Sequence, residues 1–369
     1  MNLSHIELLQ CIECGGTLEL DDNHASDTCG NFIAKGILRC QSCNESFPII
    51  DGVGIFFKKS LLSYFLNDYE KRICDSLKFT FKKTTDDLLE NSLLAKQVAD
   101  NWSYQWNTLA PWEKNDFEKD DFNGALNFRK FIRIEPEEYK GKKITVWCGG
   151  NGREAYHISK NVPQLLIVNE IGDEIYRING LISKNINLLL IRCDMLCNPL
   201  RSGIVDISIC DHALQHVIDK RGAFSALADV LSQGGTAAVC VYSYENNFLI
   251  THIIEPLKGI IHKMTLNGQK FISIFPAIFI FLLIKIFYLP ANYLLPTGIC
   301  RKMPLFDHMM FWSKGNFRLI RLSCFDLIHA PVSYHFNKDE VQKLVQQAGL
   351  HLDKLINTHG TTWSMTAKK

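Results

Sequence analysis

Two groups of residues in this sequence have the types and spacing to do chemistry. The first is Cys11-Ile-Glu-Cys14 with Cys40-Gln-Ser-Cys43, two C-x2-C pairs separated by twenty-five residues. A two-residue gap lets a tight turn aim two thiolates at one ion while backbone amides point at the sulfurs. Two such knuckles complete a closed four-cysteine zinc site, which has no open position for a substrate and is therefore structural. Cys29 and His24 fall in the spacer, outside both knuckles, and can only replace a ligand. The second group is a series at strand ends. Cys148-Gly-Gly-Asn-Gly152 follows a short apolar run, Glu170 closes the next run eighteen residues after Gly152, and Asp194 follows the third. Glycines there let backbone amides approach a ligand at a helix N-terminus. An acid at the second position can accept hydrogen bonds from both hydroxyls of a ribose, and a carboxylate at the third can meet an adenine amino group. Asp211 and His212 lie just past a fourth run that Asp206 opens, while His216, in Ala213-Leu-Gln-His-Val217, reads as a packed histidine before a base.

These residues need elements to position them. Lys143–Cys148, Gln164–Glu170, Asn187–Ile191, Gly203–Cys210 and Thr236–Tyr242 read as strands, with helices over Arg153–Lys160, Asp173–Ser183 and Lys220–Leu231. Gln233-Gly-Gly235 reads as the turn from the last helix into the fifth strand. Continuous β-branched runs alternating with helices imply a doubly wound, mostly parallel α/β sheet, whose ligands bind beyond the C-terminal strand ends. Asn337–Ala348 reads as a helix, and His351–Asn357 with Thr361–Ala367 as a closing hairpin that ends in an antiparallel strand. Asp51-Gly52 signals another hairpin in Phe47–Phe56. The expected domains are a zinc ribbon over 1–57, a helical linker or lid over 58–135, and the α/β domain over 136–369 with an insertion at 246–325. The ribbon buries little core of its own, so it should unfold without metal while the large domain survives. In the linker, Trp102, Trp106 and Trp112 fall within eleven residues. They read as an aromatic stripe packed on the next domain, or with Tyr104, Gln105 and Trp106 as a lid over a pocket.

Here the sequence resembles known families. Residues 8–57, with CxxC, CxxC and FPIIDGVGIFF, resemble the zinc-ribbon module of small methyltransferase-activating proteins, a module also fused to the front of many bacterial methyltransferases. The series ITVWCGGNGREA, LLIVNE, LLLIRCDMLCNPL, VDISICDHALQH and LADVLSQGGTAAVCVYS resembles class I S-adenosylmethionine-dependent methyltransferases, closest to the group that includes quinone-biosynthesis enzymes. The resemblance implies a Rossmann-like fold, S-adenosylmethionine as cofactor, and cofactor binding by Gly150, Gly152, Glu170 and Asp194; Cys148, Gly149, Met195 and Asp211 are the further candidates for cofactor contact. The family usually carries an acid just before the glycine loop, where Val146 and Trp147 stand here, and a glycine where Cys148 stands. That departure leaves a non-catalytic cofactor-binding or scaffold protein as a rival reading. Catalytic candidates are His212, Tyr334 and His335, since this chemistry needs a base only for a hydroxyl or protonated amine.

Composition bounds the partners. The 369 residues are 47% apolar and 21% charged, enough for real cores in about two domains. Forty Lys and Arg balance 39 Asp and Glu, so no global field favours nucleic acid. A small-molecule acceptor, lipidic or glycan-linked, is expected, with methylation of RNA or protein as the alternative. Thirteen cysteines and an N-terminus without a secretory pattern point to a reducing cytoplasm. The insertion centres on FISIFPAIFIFLLIKIFYLPANYLLP, 271–296, whose one charge is Lys285. Pro276 and Pro290 are expected to break it, leaving a run too short to span a bilayer. It should fold back over the acceptor pocket, with peripheral membrane contact as a further expectation.

Overall fold

The structure, a computed structural model, describes residues 1–21, 27–81, 90–110, 113–119 and 124–369. His24 and Trp112 lie outside the described residues. Among the described residues twelve strands form one sheet: β1 (Leu18–Leu20), β2 (Asp27–Cys29), β3 (Phe32–Cys40), β4 (Ser46–Ile50), β5 (Val53–Phe56), β6 (Lys143–Trp147), β7 (Leu165–Glu170), β8 (Leu188–Cys193), β9 (Val205–Asp211), β10 (Leu231–Tyr242), β11 (His351–Thr358) and β12 (Thr362–Lys368). Their order is β1-β3-β4-β5-β8-β7-β6-β9-β10-β12-β11, with β2 beside β3. From β5 to β10 the strands run parallel, while β12 lies antiparallel to β10 and β11 to β12. The chain winds outward from β6 through β7 to β8, then returns to place β9 on the other side of β6. That reversal opens a crevice beyond the C-terminal ends of β6 and β9, where doubly wound sheets bind ligands.

Alternate residues of the central strands feed two cores. Val146 and Val168 face Phe128, Ile132, Ile158 and Ile178 on one side, whereas Trp147 and Ile167 share the other with Leu227 and Val341. The helix Lys338–Gln347 begins as its sequence predicts. Asn337 accepts from the Glu340 amide, and the Glu340 carboxylate accepts from the Asn337 amide.

Three expectations change. The ribbon is not a detached module: β5 pairs in parallel with β8, Val53 opposite Leu190, and Leu18, Phe47 and Phe56 belong to the same core as Ile191 and Leu227. The Asp51-Gly52 turn, with both φ angles positive, sends β4 back as β5 onto an edge that would otherwise expose unpaired β8. Gln233-Gly-Gly235 is not a turn before β10 but lies inside it, where the register with β9 shifts between Leu231 and Thr236. The glycines relieve a bulge there: a Cβ on Gly235 would come within 2.8 Å of the Ser232 carbonyl.

The third change concerns the insertion. Leu266–Leu294 forms one 29-residue helical stretch, with a turn at Ser273 and a π-helical segment over Ile284–Tyr288. The prolines do not break it. Pro276 lies three residues after that turn and Pro290 is the second residue after the π segment. Proline's missing N–H is tolerated at the start of a helical segment, and the π turn re-spaces the hydrogen bonds ahead of Pro290. The inner face of the stretch, through Ala277, Ile284 and Tyr288, packs with Ile320 and Cys324 of the helix Phe317–His329.

Candidate cofactor cavity and cysteine cluster

A cavity of about 1320 Å³ opens at the strand ends. Its floor is built by the loop after β6 and the residues that end β7, β8 and β9. Cys148, Gly149, Gly150, Glu170, Asp194, Met195 and Asp211 all line it, so the structure brings together seven of the eight residues expected to meet a cofactor. Gly152 does not line it. Its φ of 86° caps the helix Arg153–Ser159, and a Cβ there would meet Leu181 at 2.9 Å and Ile178 at 3.2 Å. Gly152 is therefore required for seating the loop on the helix Ile175–Leu181, not for ligand approach. Gly149 has the same duty toward Val168, whose methyl would lie 2.3 Å from an added Cβ. Cys148 holds a φ of 52°, a left-handed conformation that glycine adopts without strain.

Glu170 organises this loop. Its Oε2 accepts from the Gly150 amide at 2.7 Å, and its Oε1 from the amides of Ile171 at 2.7 Å and Gly172 at 3.0 Å. Burial raises its pKa, and the three amides oppose that rise. A carboxylate offers about four lone-pair sites, so one remains for a ligand hydroxyl. Asp194 caps the short turn Met195–Cys197 by accepting from the Leu196 amide at 2.9 Å, and burial pushes its pKa up. Asp206 accepts from the Lys143 amide at 2.8 Å and braces β6 against β9, which is the structural role.

The place of the acid usual in the resembled family is taken by structure. Trp147 is buried and donates through Nε1 to Ser208 at 2.8 Å. Negative charge reaches the cavity from elsewhere. Arg153 ion-pairs with both Glu154 and Asp211, the latter at 2.7 Å. Burial raises the Asp211 carboxyl, but His212 and Arg153 outweigh it and hold the group below its usual value. Asp211 Oδ1 stands 2.6 Å from His212 Nδ1. An ionised carboxylate only accepts, so Nδ1 carries a proton toward Asp211. Nε2 stands 3.5 Å from Thr362 Oγ1 and 3.6 Å from Cys240 Sγ. Asp211, His212 and Cys240 are close enough to hold a metal, but Arg153 already supplies the cation there.

The opposite wall comes from the linker and the insertion. Trp102 and Trp106 line the cavity, and an added Cβ on Gly150 would stand 3.0 Å from Trp106 Nε1. Tyr104 and Gln105 do not line it: Tyr104 lies under Lys270, and Gln105 is buried. Of the catalytic candidates, His212 and His335 face the cavity. Tyr334 does not; its ring packs on the core below Lys220. His216 is both buried and cavity-lining, with Nδ1 2.7 Å from the Val332 carbonyl and Trp102 against its ring. Sequence reasoning missed His308, His359 and Asp326, which the insertion and the last hairpin bring to the same wall. Burial raises the Asp326 carboxyl well above its usual range, and its Oδ1 has no protein partner. No local pattern marks these residues, because their neighbours in space are remote in sequence.

In the ribbon, all four knuckle thiols come together. Cys11 and Cys43 sulfurs lie 3.6 Å apart and Cys14 and Cys40 sulfurs 3.5 Å. Zinc–thiolate bonds of about 2.3 Å in a tetrahedron separate sulfurs by about 3.8 Å, so the set fits that ion. The Gly15 amide donates to the Cys11 carbonyl and the Ser42 amide points at the Cys40 sulfur, the expected knuckle turns. Cys29, exposed on β2, stands outside the set.

No protein-family model and no curated protein sequence matches the chain significantly. Solved structures share its trace distantly. A chain from the Haloferax volcanii complex of the Trm112 methyltransferase activator with a methyltransferase is 12% identical; the match covers 73% of this chain and 96% of that one, with a TM-score of 0.43. The Mesorhizobium loti S-adenosylmethionine-dependent methyltransferase is 12% identical over 67% of this chain and 100% of its own, with a TM-score of 0.41. The Burkholderia thailandensis 1,6-didemethyltoxoflavin-N1-methyltransferase is 8% identical over 77% and 92%, with a TM-score of 0.43.

Proposed function

We propose that the chain is an S-adenosylmethionine-dependent methyltransferase acting on a small-molecule acceptor with an apolar part, and that its cysteine cluster holds one structural zinc. The observation that carries the reading is the ordered set at the crevice. The loop after β6 and Glu170, Asp194 and Asp211 at the ends of successive strands all face one cavity. At about 1320 Å³ it exceeds the 300–1,000 Å³ usual for one ligand, which suits a cofactor and an acceptor together.

The loop amides and Glu170 would hold the cofactor's methionine and ribose parts, with Asp194 and Met195 beside its adenine. When bound, the cofactor supplies a methyl group already activated by its sulfonium. What the chain must add is alignment, exclusion of water and removal of a proton. Trp102, Trp106 and the insertion close the cavity over the strand ends. His212 takes the proton of an acceptor hydroxyl or amine at Nε2, and Asp211 holds the resulting imidazolium through Nδ1.

Isothermal calorimetry tests this. The wild-type protein should bind S-adenosylmethionine, and Glu170→Ala should weaken binding by ~1–3 kcal/mol, since it removes a ribose acceptor and releases the amides of Gly150, Ile171 and Gly172. A wild-type protein that does not bind the cofactor would overturn the reading.

A further inference from the structure

The insertion roofs the cavity with one face and leaves the other uncovered. Along Leu266–Leu294, Phe271, Phe275, Ile278, Phe279, Leu282 and Ile286 are each at least 43% exposed. Their spacing puts them on a single stripe of the helix. A second exposed stripe lies on Leu249, Ile253, Leu257 and Ile260 of the preceding helical segment, exposed by 43–65%. Ten large apolar side chains left this exposed on one insertion mark an interaction surface. Charge follows the same segment. Residues 246–304 hold six Lys and Arg and one acid, in a chain whose other residues hold 34 Lys and Arg and 38 Asp and Glu. Lys258 is buried and matched to Glu255 at 2.8 Å, and Lys270 lies over the Tyr104 ring, which leaves Lys263, Lys285, Arg301 and Lys302. Lys285 lies 5.6 Å from the Phe281 ring centroid, at the margin of the stripe.

We infer that this face docks in the plane of an anionic lipid bilayer. The helix is about 43 Å long and apolar enough to cross one, with a mean hydropathy of 2.4 over its most apolar 18 residues. Crossing is disfavoured by its other face, because Ala277, Ile284 and Tyr288 are packed against a folded layer. That layer carries Lys314, Arg318 and Arg321, which would have to follow the helix into hydrocarbon. An interfacial helix with one apolar face, a packed reverse and cations at its margins meets no such cost. A second copy of this chain is the poorer occupant. In a two-fold contact the same patch faces itself, so these cations would oppose one another, whereas anionic headgroups attract them.

The docking face is also the mouth of the cavity. Phe248, Leu249 and Phe279 both line the cavity and stand 59–65% exposed on the outer surface. A molecule leaving the bilayer would meet these residues first and reach Asp326, His335 and His212 within. This part of the inference rests on the methyltransferase reading and assigns its acceptor to the class of membrane-borne amphiphiles; the docking itself does not depend on that reading.

The test is co-sedimentation of the full chain with vesicles of phosphatidylcholine alone and with phosphatidylglycerol added. The protein should bind the anionic vesicles more tightly and be released by alkaline carbonate. Phe271→Ser with Phe275→Ser, at exposed positions outside the cavity, should weaken binding about a hundredfold, if each ring buries about 1.5 kcal/mol. Cofactor affinity by calorimetry should not change, which separates failure of docking from failure of the cofactor site. Retention through carbonate would show a spanning segment and overturn the inference. So would a wild-type protein that ignores vesicles, whether it runs as a monomer or as a dimer that the double variant dissociates.

Discussion

At the residue scale, the backbone conformation of a few positions sets the site. Cys148 and His212 end β6 and β9 with φ of 52° and 51°, so both strand ends that flank the crevice carry non-glycine residues in the left-handed region. Each such residue stores of the order of 1 kcal/mol, held by the packed sheet beneath it. In exchange, His212 turns Nδ1 onto Asp211 and its other nitrogen toward Thr362 and Cys240. Gly152 shows the reverse case, where the left-handed conformation must be glycine. Gly152→Ala places a methyl against Leu181 and Ile178 at a φ of 86°, and should destabilise the protein by about 2 kcal/mol. The melting temperature should fall and cofactor affinity with it, although the residue touches no ligand. Thermal denaturation with an unchanged midpoint would show that the helix can shift to accept the methyl.

At the element scale, the ribbon and the linker are welded to the sheet. Cys40→Ser with Cys43→Ser should abolish the one zinc expected per chain by metal analysis; unchanged zinc content would sink the assignment. Because β4 and β5 continue the central sheet and share its core, chelation should lower the main unfolding transition as well. A separate early melt of residues 1–57, with the large domain unaffected, would support an independent module instead. The linker is held by a buried ion pair between Glu70 and Arg192, whose side chains are 0% and 5% exposed. The Tyr176 hydroxyl donates to Glu70 at 2.7 Å, and Arg192 donates to the Phe65 carbonyl at 3.0 Å. Glu70→Ala leaves the guanidinium buried without its counter-charge and should cost about 3–5 kcal/mol in denaturant unfolding.

At the scale of the whole molecule, the cavity wall couples stability to pH. Burial lowers the imidazoles of His216, His308, His335 and His359 to about 4. In the unfolded chain these groups take up protons near 6.5, and in the folded chain near 4. Between those values the unfolded state binds more protons, so their contribution is lost as the pH falls through that window. The buried carboxyls of Asp326 and Glu174 have raised pKa values and act with the opposite sign. Comparison with one histidine variant isolates the effect. His359 holds a φ of 53°, which asparagine tolerates. His359→Asn should lose less of its melting temperature than the wild type between about pH 7 and about pH 5. Equal losses would refute the contribution of that imidazole.

Much of this was legible locally. The four knuckle cysteines, the Asp51-Gly52 hairpin, the strands of the parallel sheet and the acids at their ends follow from spacing, β-branched runs and turn chemistry, which act over a few residues. So did the roofing role of the insertion, since it leaves the sheet where β10 borders the crevice. Other features depend on pairings between remote segments. The sequence holds nothing that aims β5 at β8, so the ribbon's union with the sheet had to come from edge pairing in three dimensions. The prolines of the insertion read as breaks, and only the placement of Pro276 after the Ser273 turn and of Pro290 after the π segment made them compatible with one helix. The assembly of His308, Asp326, His335 and His359 around one cavity is likewise tertiary. Composition and periodicity decide which face of an element is apolar; which apolar face is covered, and which is left for a bilayer, is decided by what packs against it.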